Sequence, residues 1–114
     1  MSHTKSEILQ GTLDLMILKT LDAMGPLHGY GIARRLDQMS RELLQLNEGT
    51  AYASLLRLAQ NGWISSKWGA SENNRKAKFY SITRTGGHQL VREMENWERF
   101  SGVIGRVLQT EGER

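Results

Sequence analysis

Six cations, Arg57, Lys67, Arg75, Lys76, Lys78 and Arg84, share one segment with a single acid, Glu72. The segment's surplus of five positive charges exceeds the +3 carried by the whole 114-residue chain. Guanidinium and ammonium groups gathered in this way suit a polyanion, whose phosphates they neutralise without reading its sequence. The plain alternative is a solvated basic hairpin, which is what most basic runs are.

Other groups capable of chemistry do not converge. His3, His28 and His88 are far apart and no cysteine is present, so no metal-ligand spacing, disulfide or thiol nucleophile is available. Glu93 and Glu95 are two residues apart and point to different sides of a helix. Gly29 and Gly31 lack the strand and longer glycine pattern of a dinucleotide loop. The expectation is a protein without a cofactor that is not an enzyme.

The cationic segment needs elements to hold it. Asn47 can cap a helix with Glu48 in its first turn, and Gly62 can stop it. Along that helix Tyr52, Leu55, Leu56 and Ala59 fall on one apolar face, while Thr50, Ala51, Ser54 and Arg57 fall on the other. Small and hydrogen-bonding groups of that kind let a backbone approach base edges in a major groove. Residues 63–68 and 76–82 have the aromatic and β-branched content of strands, with 69–75 as their turn. Tyr80 and Ile82 share the parity of an inward strand face. Lys78 shares it too and must lie near the tip to avoid burial. Trp63 and Trp68 are expected to pack the base of the hairpin.

Upstream, Ile8 to Met24 reads as a largely buried first helix ended by Gly25-Pro26. A second helix follows from His28 or Gly29 to Ser40, with Tyr30, Ala33 and Leu36 inward and Arg34, Arg35 and Asp37 outward. His28 is expected to help start it. Leu43 to Leu46 is a connector or a very short strand, and Thr83 to Gly87 a polar break. From Thr85 to Gln109, Leu90, Met94, Trp97, Ser101, Ile104 and Leu108 recur at alternating intervals of four and three residues. This is a heptad seam, and it predicts a helix that packs against a two-fold mate or folds back on the first helix. The fold class is therefore mainly α with a small β-hairpin (α+β), a winged helix-turn-helix over residues 1–83 and a dimerisation helix with its tail over 84–114. Hydrophobic content of 39% is light for a self-sufficient core, which also favours a partner subunit. No apolar run reaches membrane-span length and the start lacks a signal core, so a cytoplasmic location is expected.

Several segments together resemble the PadR family of transcriptional regulators, of the short type with one C-terminal helix. They are Leu9 to Asp14, Gly25 to Ile32, Asn47 to Tyr52 through Leu58, Asn61 to Ile64, and Lys78 to Thr83 before Gly86. The resemblance implies a dimeric, DNA-binding repressor whose C-terminal helix pairs with its mate. Tyr52 then matches the tyrosine of the family's recognition helix, and Arg75, Lys76 and Lys78 its basic wing. The family usually has Leu-Tyr-Pro where this chain has Ala51-Tyr52-Ala53, so individual base contacts are not carried over. Some relatives hold flat aromatic compounds between subunits on a tryptophan of the last helix, and Trp97 lies where that residue would be. Ordinary core packing is the other reading of Trp97. The expected partners are a pseudo-palindromic duplex operator, a second copy and a small aromatic effector. The rival is a dimeric module that binds protein or small molecules and does not read DNA.

Overall fold

Seven elements follow in order: α1 (Ser2–Met24), β1 (Leu27–His28), α2 (Gly29–Met39), α3 (Glu48–Gln60), β2 (Ile64–Ala70), β3 (Lys76–Ile82) and α4 (Arg84–Gln109). The computed structural model describes the backbone of residues 2–112 and the side chains of residues 11–112. The part of the first-helix expectation that concerns the side chains of Ile8 to Gln10 lies outside the described residues.

α1 runs through the middle, touching α2, α3, α4 and β3. Its Leu13, Ile17, Leu18 and Leu21 are buried against Ile32 and Leu36 of α2, Leu55 and Leu58 of α3, and Ile64, Tyr80 and Leu90. Each such aliphatic side chain removed from water contributes about 1.5–3 kcal/mol, which makes α1 the keel of the domain. In α2 the inward residues are Gly29, Ile32, Ala33 and Leu36. Tyr30 is exposed, contrary to expectation, because it lies about 200° around the helix from Ile32.

The helices begin where side-chain acceptors meet free backbone donors. His28 Nδ1 accepts from the Gly31 amide at 2.8 Å, Asn47 Oδ1 from Thr50 at 2.8 Å and Thr83 Oγ1 from Gly86 at 3.0 Å. The expected polar break at Thr83 to Gly87 is thus the capped first turn of α4. Gly62, at φ +77°, turns the chain out of α3 towards the sheet, a conformation glycine adopts without steric cost.

The segment between α2 and α3 is a turn and not a strand. Arg41, Glu42 and Gln45 adopt left-handed φ values of 54°, 64° and 47°, which are incompatible with an extended ladder. Asp37 Oδ1 accepts from the Leu46 amide at 3.0 Å, and Leu44 and Leu46 pack onto the core. The sheet is antiparallel in the order β1-β3-β2. The third strand, the two-residue β1, was not expected; it pairs Leu27 with Tyr80 and His28 with Phe79. In the β2–β3 hairpin Ile64 pairs with Ile82, Ser66 with Tyr80, Trp68 with Lys78 and Ala70 with Lys76. Opposed residues share a face, so the core face of Ile64, Tyr80 and Ile82 continues outward as Trp68, Lys78 and Lys76. This is how Lys78 escapes burial while keeping the parity of Tyr80. The architecture is a winged helix-turn-helix of the α+β class.

α4 is about 39 Å long for its 26 residues, and it draws the molecule out to 64 Å along its long axis. Leu90 near its start joins the subunit's own core. It therefore leaves the expected intersubunit seam, because the first turns of α4 lie on α1. Beyond it Val91, Met94, Trp97, Phe100, Val103, Ile104, Val107 and Leu108 are exposed, Leu108 by 78%. Ser101 is half-buried.

Candidate nucleic-acid interface

The phase of α3 decides which residues can meet a duplex. Ala51 (1% exposed), Ser54 (0%), Leu55 and Leu58 face the core, while Glu48, Gly49, Tyr52, Ala53 and Leu56 face solvent. The expected reading face is therefore rotated by about one residue, roughly 100°. Ala51 and Ser54 are withdrawn from it: their small side chains serve close approach to the interior. Arg57 is withdrawn as well. Its Nη2 donates to Asp14 Oδ1 at 2.9 Å and to Ser54 Oγ at 3.1 Å, and its Nε donates to Asp14 Oδ2 at 3.3 Å. Ser54 Oγ donates to Asp14 Oδ1 as well. A carboxylate on α1 thus receives a two-pronged guanidinium and a buried hydroxyl from α3, fixing one helix on the other.

Tyr52 becomes the principal side chain that α3 offers, 48% exposed. Its ring lies against Gly29, where a Cβ would come 2.9 Å from Tyr52 Cζ, so a larger residue at that point of α2 would push the ring aside. Burial holds the Tyr80 phenol above its ordinary pKa, and the neighbouring Tyr52 adds to the shift. Thr50, half-buried, is tied to the Asn47 cap through its amide.

Facing α3 across a concavity of about 1010 Å³ stands the hairpin. Its walls carry Tyr52 and Glu48 from α3, Tyr30 and Arg34 from α2, and Trp68, Glu72, Arg75, Lys76 and Lys78 from the hairpin. Four cations oppose two carboxylates there. The expected wing cations Arg75, Lys76 and Lys78 are brought together with Tyr52, whereas Lys67 and Arg84 do not line the concavity. Lys67 pairs with Phe79 on the other face of the hairpin, and Arg84 sits in the first turn of α4.

Tyr30, Arg34 and Trp68 are lining residues that sequence reasoning had not placed there. Trp63 is partly buried against the core as expected. Trp68 is not hairpin-base packing: it is 59% exposed, with Lys76 Nζ 5.0 Å and Lys78 Nζ 5.5 Å from its ring centre. Trp97 lines a separate groove of about 330 Å³ between α1 and α4, with Asp14, Trp63, Glu93 and Phe100. Among the described residues no three His, Cys, Asp or Glu side chains gather as a metal site, and no helix is long and apolar enough to cross a membrane.

A transcriptional regulator from Clostridium thermocellum superposes with a TM-score of 0.79 at 31% identity, over 88% of this chain and 96% of that one. A PadR-like transcriptional regulator from Bacillus cereus does so with a TM-score of 0.77 at 28% identity, over 92% and 99%. A protein of Lysinibacillus sphaericus that carries no functional name is 28% identical over 105 residues, 92% of this chain and 95% of its own. The model of the transcriptional regulator PadR-like family matches residues 17–92, from the core of α1 through the helix-turn-helix and wing into α4. The chain belongs to the PadR-like family, whose members are transcriptional regulators and not enzymes.

Proposed function

We propose that the protein is a homodimeric, sequence-specific DNA-binding repressor of transcription. Residues 1–83 read the duplex and residues 84–114 join two subunits. The observation that carries this reading is the cationic concavity between the solvent face of α3 and the wing. A major groove is wide enough to admit a helix. In the proposed complex Tyr52 and the N-terminal backbone around Thr50 meet base edges, while Arg75, Lys76 and Lys78 grip the adjacent backbone or minor groove.

The dimer is supported by the exposed apolar stripe of α4, including Met94, Trp97, Ile104 and Leu108. A bare stripe of this kind on a small domain calls for a cover. A two-fold mate predicts a pseudo-palindromic operator with half-sites about 34–36 Å apart. A planar aromatic effector stacking on Trp97 belongs to the same proposal; the groove beside α1 supports it. The same proposal places this regulator with its DNA in the cytoplasm.

The test is selection of duplexes from a random pool, followed by titration of the selected and unselected DNA over a salt series. The expected result is an enriched two-fold sequence and a steep loss of affinity with salt for both pools. Equal, salt-insensitive binding to both, or a dimer with no duplex affinity at low salt, rejects DNA reading and favours a protein- or ligand-binding module. Quenching of Trp97 fluorescence by planar aromatics tests the effector site, and its absence removes that part of the proposal.

A further inference from the structure

On the hairpin, the core face runs out after Tyr80, and the next inward-facing residue pair is Trp68 and Lys78, directly opposed in register. Lys76 lies two residues along the same strand and therefore on the same face. Both ammonium groups sit within 6 Å of the indole centre, the range in which a ring face attracts a cation. Core packing does not account for the ring, which is 59% exposed and lines the concavity opposite Tyr52. Two free lysines so close in sequence would repel each other and sample many rotamers. An indole that attracts both restricts them to one wall.

We infer that Trp68 is a positioning residue of the duplex-binding surface, holding Lys76 and Lys78 as a preorganised pair of ammonium groups for phosphate. The inference rests on the proposed DNA reading. Trp68 adds no charge of its own; it lowers the ordering cost that the lysines would otherwise meet on binding. Its removal therefore changes affinity without changing how many phosphates are neutralised, which separates it from the lysines.

The experiment measures binding of the full chain to duplex of random sequence over a salt series. Wild type is read first: no binding at low salt defeats the DNA reading itself. Given binding, Trp68→Leu is expected to weaken it about 5- to 10-fold, equivalent to about 1–1.4 kcal/mol, with an unchanged slope of log K against log salt. Trp68→Phe, which keeps a ring face, recovers most of the loss. Replacing both Lys76 and Lys78 by Ala lowers the slope by about 1.8, and adding Trp68→Leu to that variant then changes affinity less than about 2-fold. In the free protein, the ε-methylene protons of both lysines are shifted upfield by the indole ring current, and Trp68→Leu abolishes the shift. The inference is overturned by wild-type affinity in Trp68→Leu, by an undiminished effect of Trp68→Leu when the lysines are absent, or by lysine resonances with no ring-current shift.

Discussion

The clamp between α1 and α3 makes Asp14 and Arg57 unequal partners, and the inequality is measurable. Arg57→Ala removes the guanidinium but leaves Asp14, partly open to water at 23% side-chain exposure, still accepting from the Ser54 hydroxyl. Charge-assisted hydrogen bonds contribute about 1.5–3 kcal/mol each when buried, and this pair is partly solvated, so the expected loss is about 1–2 kcal/mol. Asp14→Ala removes the same pair and also the acceptor of Ser54, which is fully buried. Leaving that buried hydroxyl hydrogen without an acceptor costs about 1–3 kcal/mol more, giving about 2–5 kcal/mol in total. Urea unfolding at one fixed protein concentration checks both values, because association shifts the midpoint by mass action. A double-mutant cycle should return a coupling of about 1–2 kcal/mol. For folded Arg57→Ala the salt slope of duplex binding should match wild type, since the guanidinium faces α1 and not phosphate. An unchanged urea midpoint together with a slope reduced by about 0.9, the value of one lost phosphate contact, would refute the assignment.

Three further outcomes follow from single positions. Gly86→Ala places a Cβ 1.9 Å from the Trp63 carbonyl oxygen, whereas the same change at Gly87 meets nothing within 4 Å; thermal melts should show severe destabilisation for the first and a gain of up to about 1 kcal/mol for the second. Ile104→Glu puts a carboxylate into the exposed stripe of α4, and sedimentation at micromolar concentration should report monomers with an unaltered helical spectrum, while persistent dimers would place the interface elsewhere. Burial, with Tyr52 beside it, raises the Tyr80 pKa, so the folded state favours the neutral phenol. The corresponding stability is complete below the ordinary tyrosine value of about 10 and is lost as pH rises past it; absorbance titration of wild type against Tyr80→Phe should show one late-ionising tyrosine missing.

Element types and order could be read from local signals because these signals are local in origin. Caps at His28 and Asn47, the stop at Gly62 and strand content in residues 63–68 and 76–82 act within a few residues of themselves. The helical phase of α3 could not be read that way. Ala51 and Ser54 are small because α1 lies close behind them, as shown by Asp14, forty positions upstream of Ser54, whose carboxylate gives Ser54 and Arg57 their partners. Tyr52 and Leu56, which look like core residues by type, are displaced outward by that requirement. Leu90 likewise fits the heptad spacing yet belongs to the subunit's own interior. The strand β1 is too short to carry any pattern. Trp68 shows the opposite case, where an aromatic on the inward parity lies past the edge of the core and finds lysines in place of neighbours.

At the junction of wing and C-terminal helix, three elements meet on one short stretch of backbone. Thr83 Oγ1 donates to the Gly62 carbonyl at 2.7 Å, its amide donates to the Trp63 carbonyl at 2.9 Å, and Gly86 packs against that same carbonyl. No slack chain separates β3 from α4, so the helix behaves as a lever arm welded to the part that carries Lys76 and Lys78. A tilt of about 5° at the far end of an arm about 39 Å long swings its near end by roughly 3 Å. That displacement is as large as a hydrogen bond, so in the proposed dimer the crossing angle of two such arms would govern whether both wings reach duplex phosphates at once.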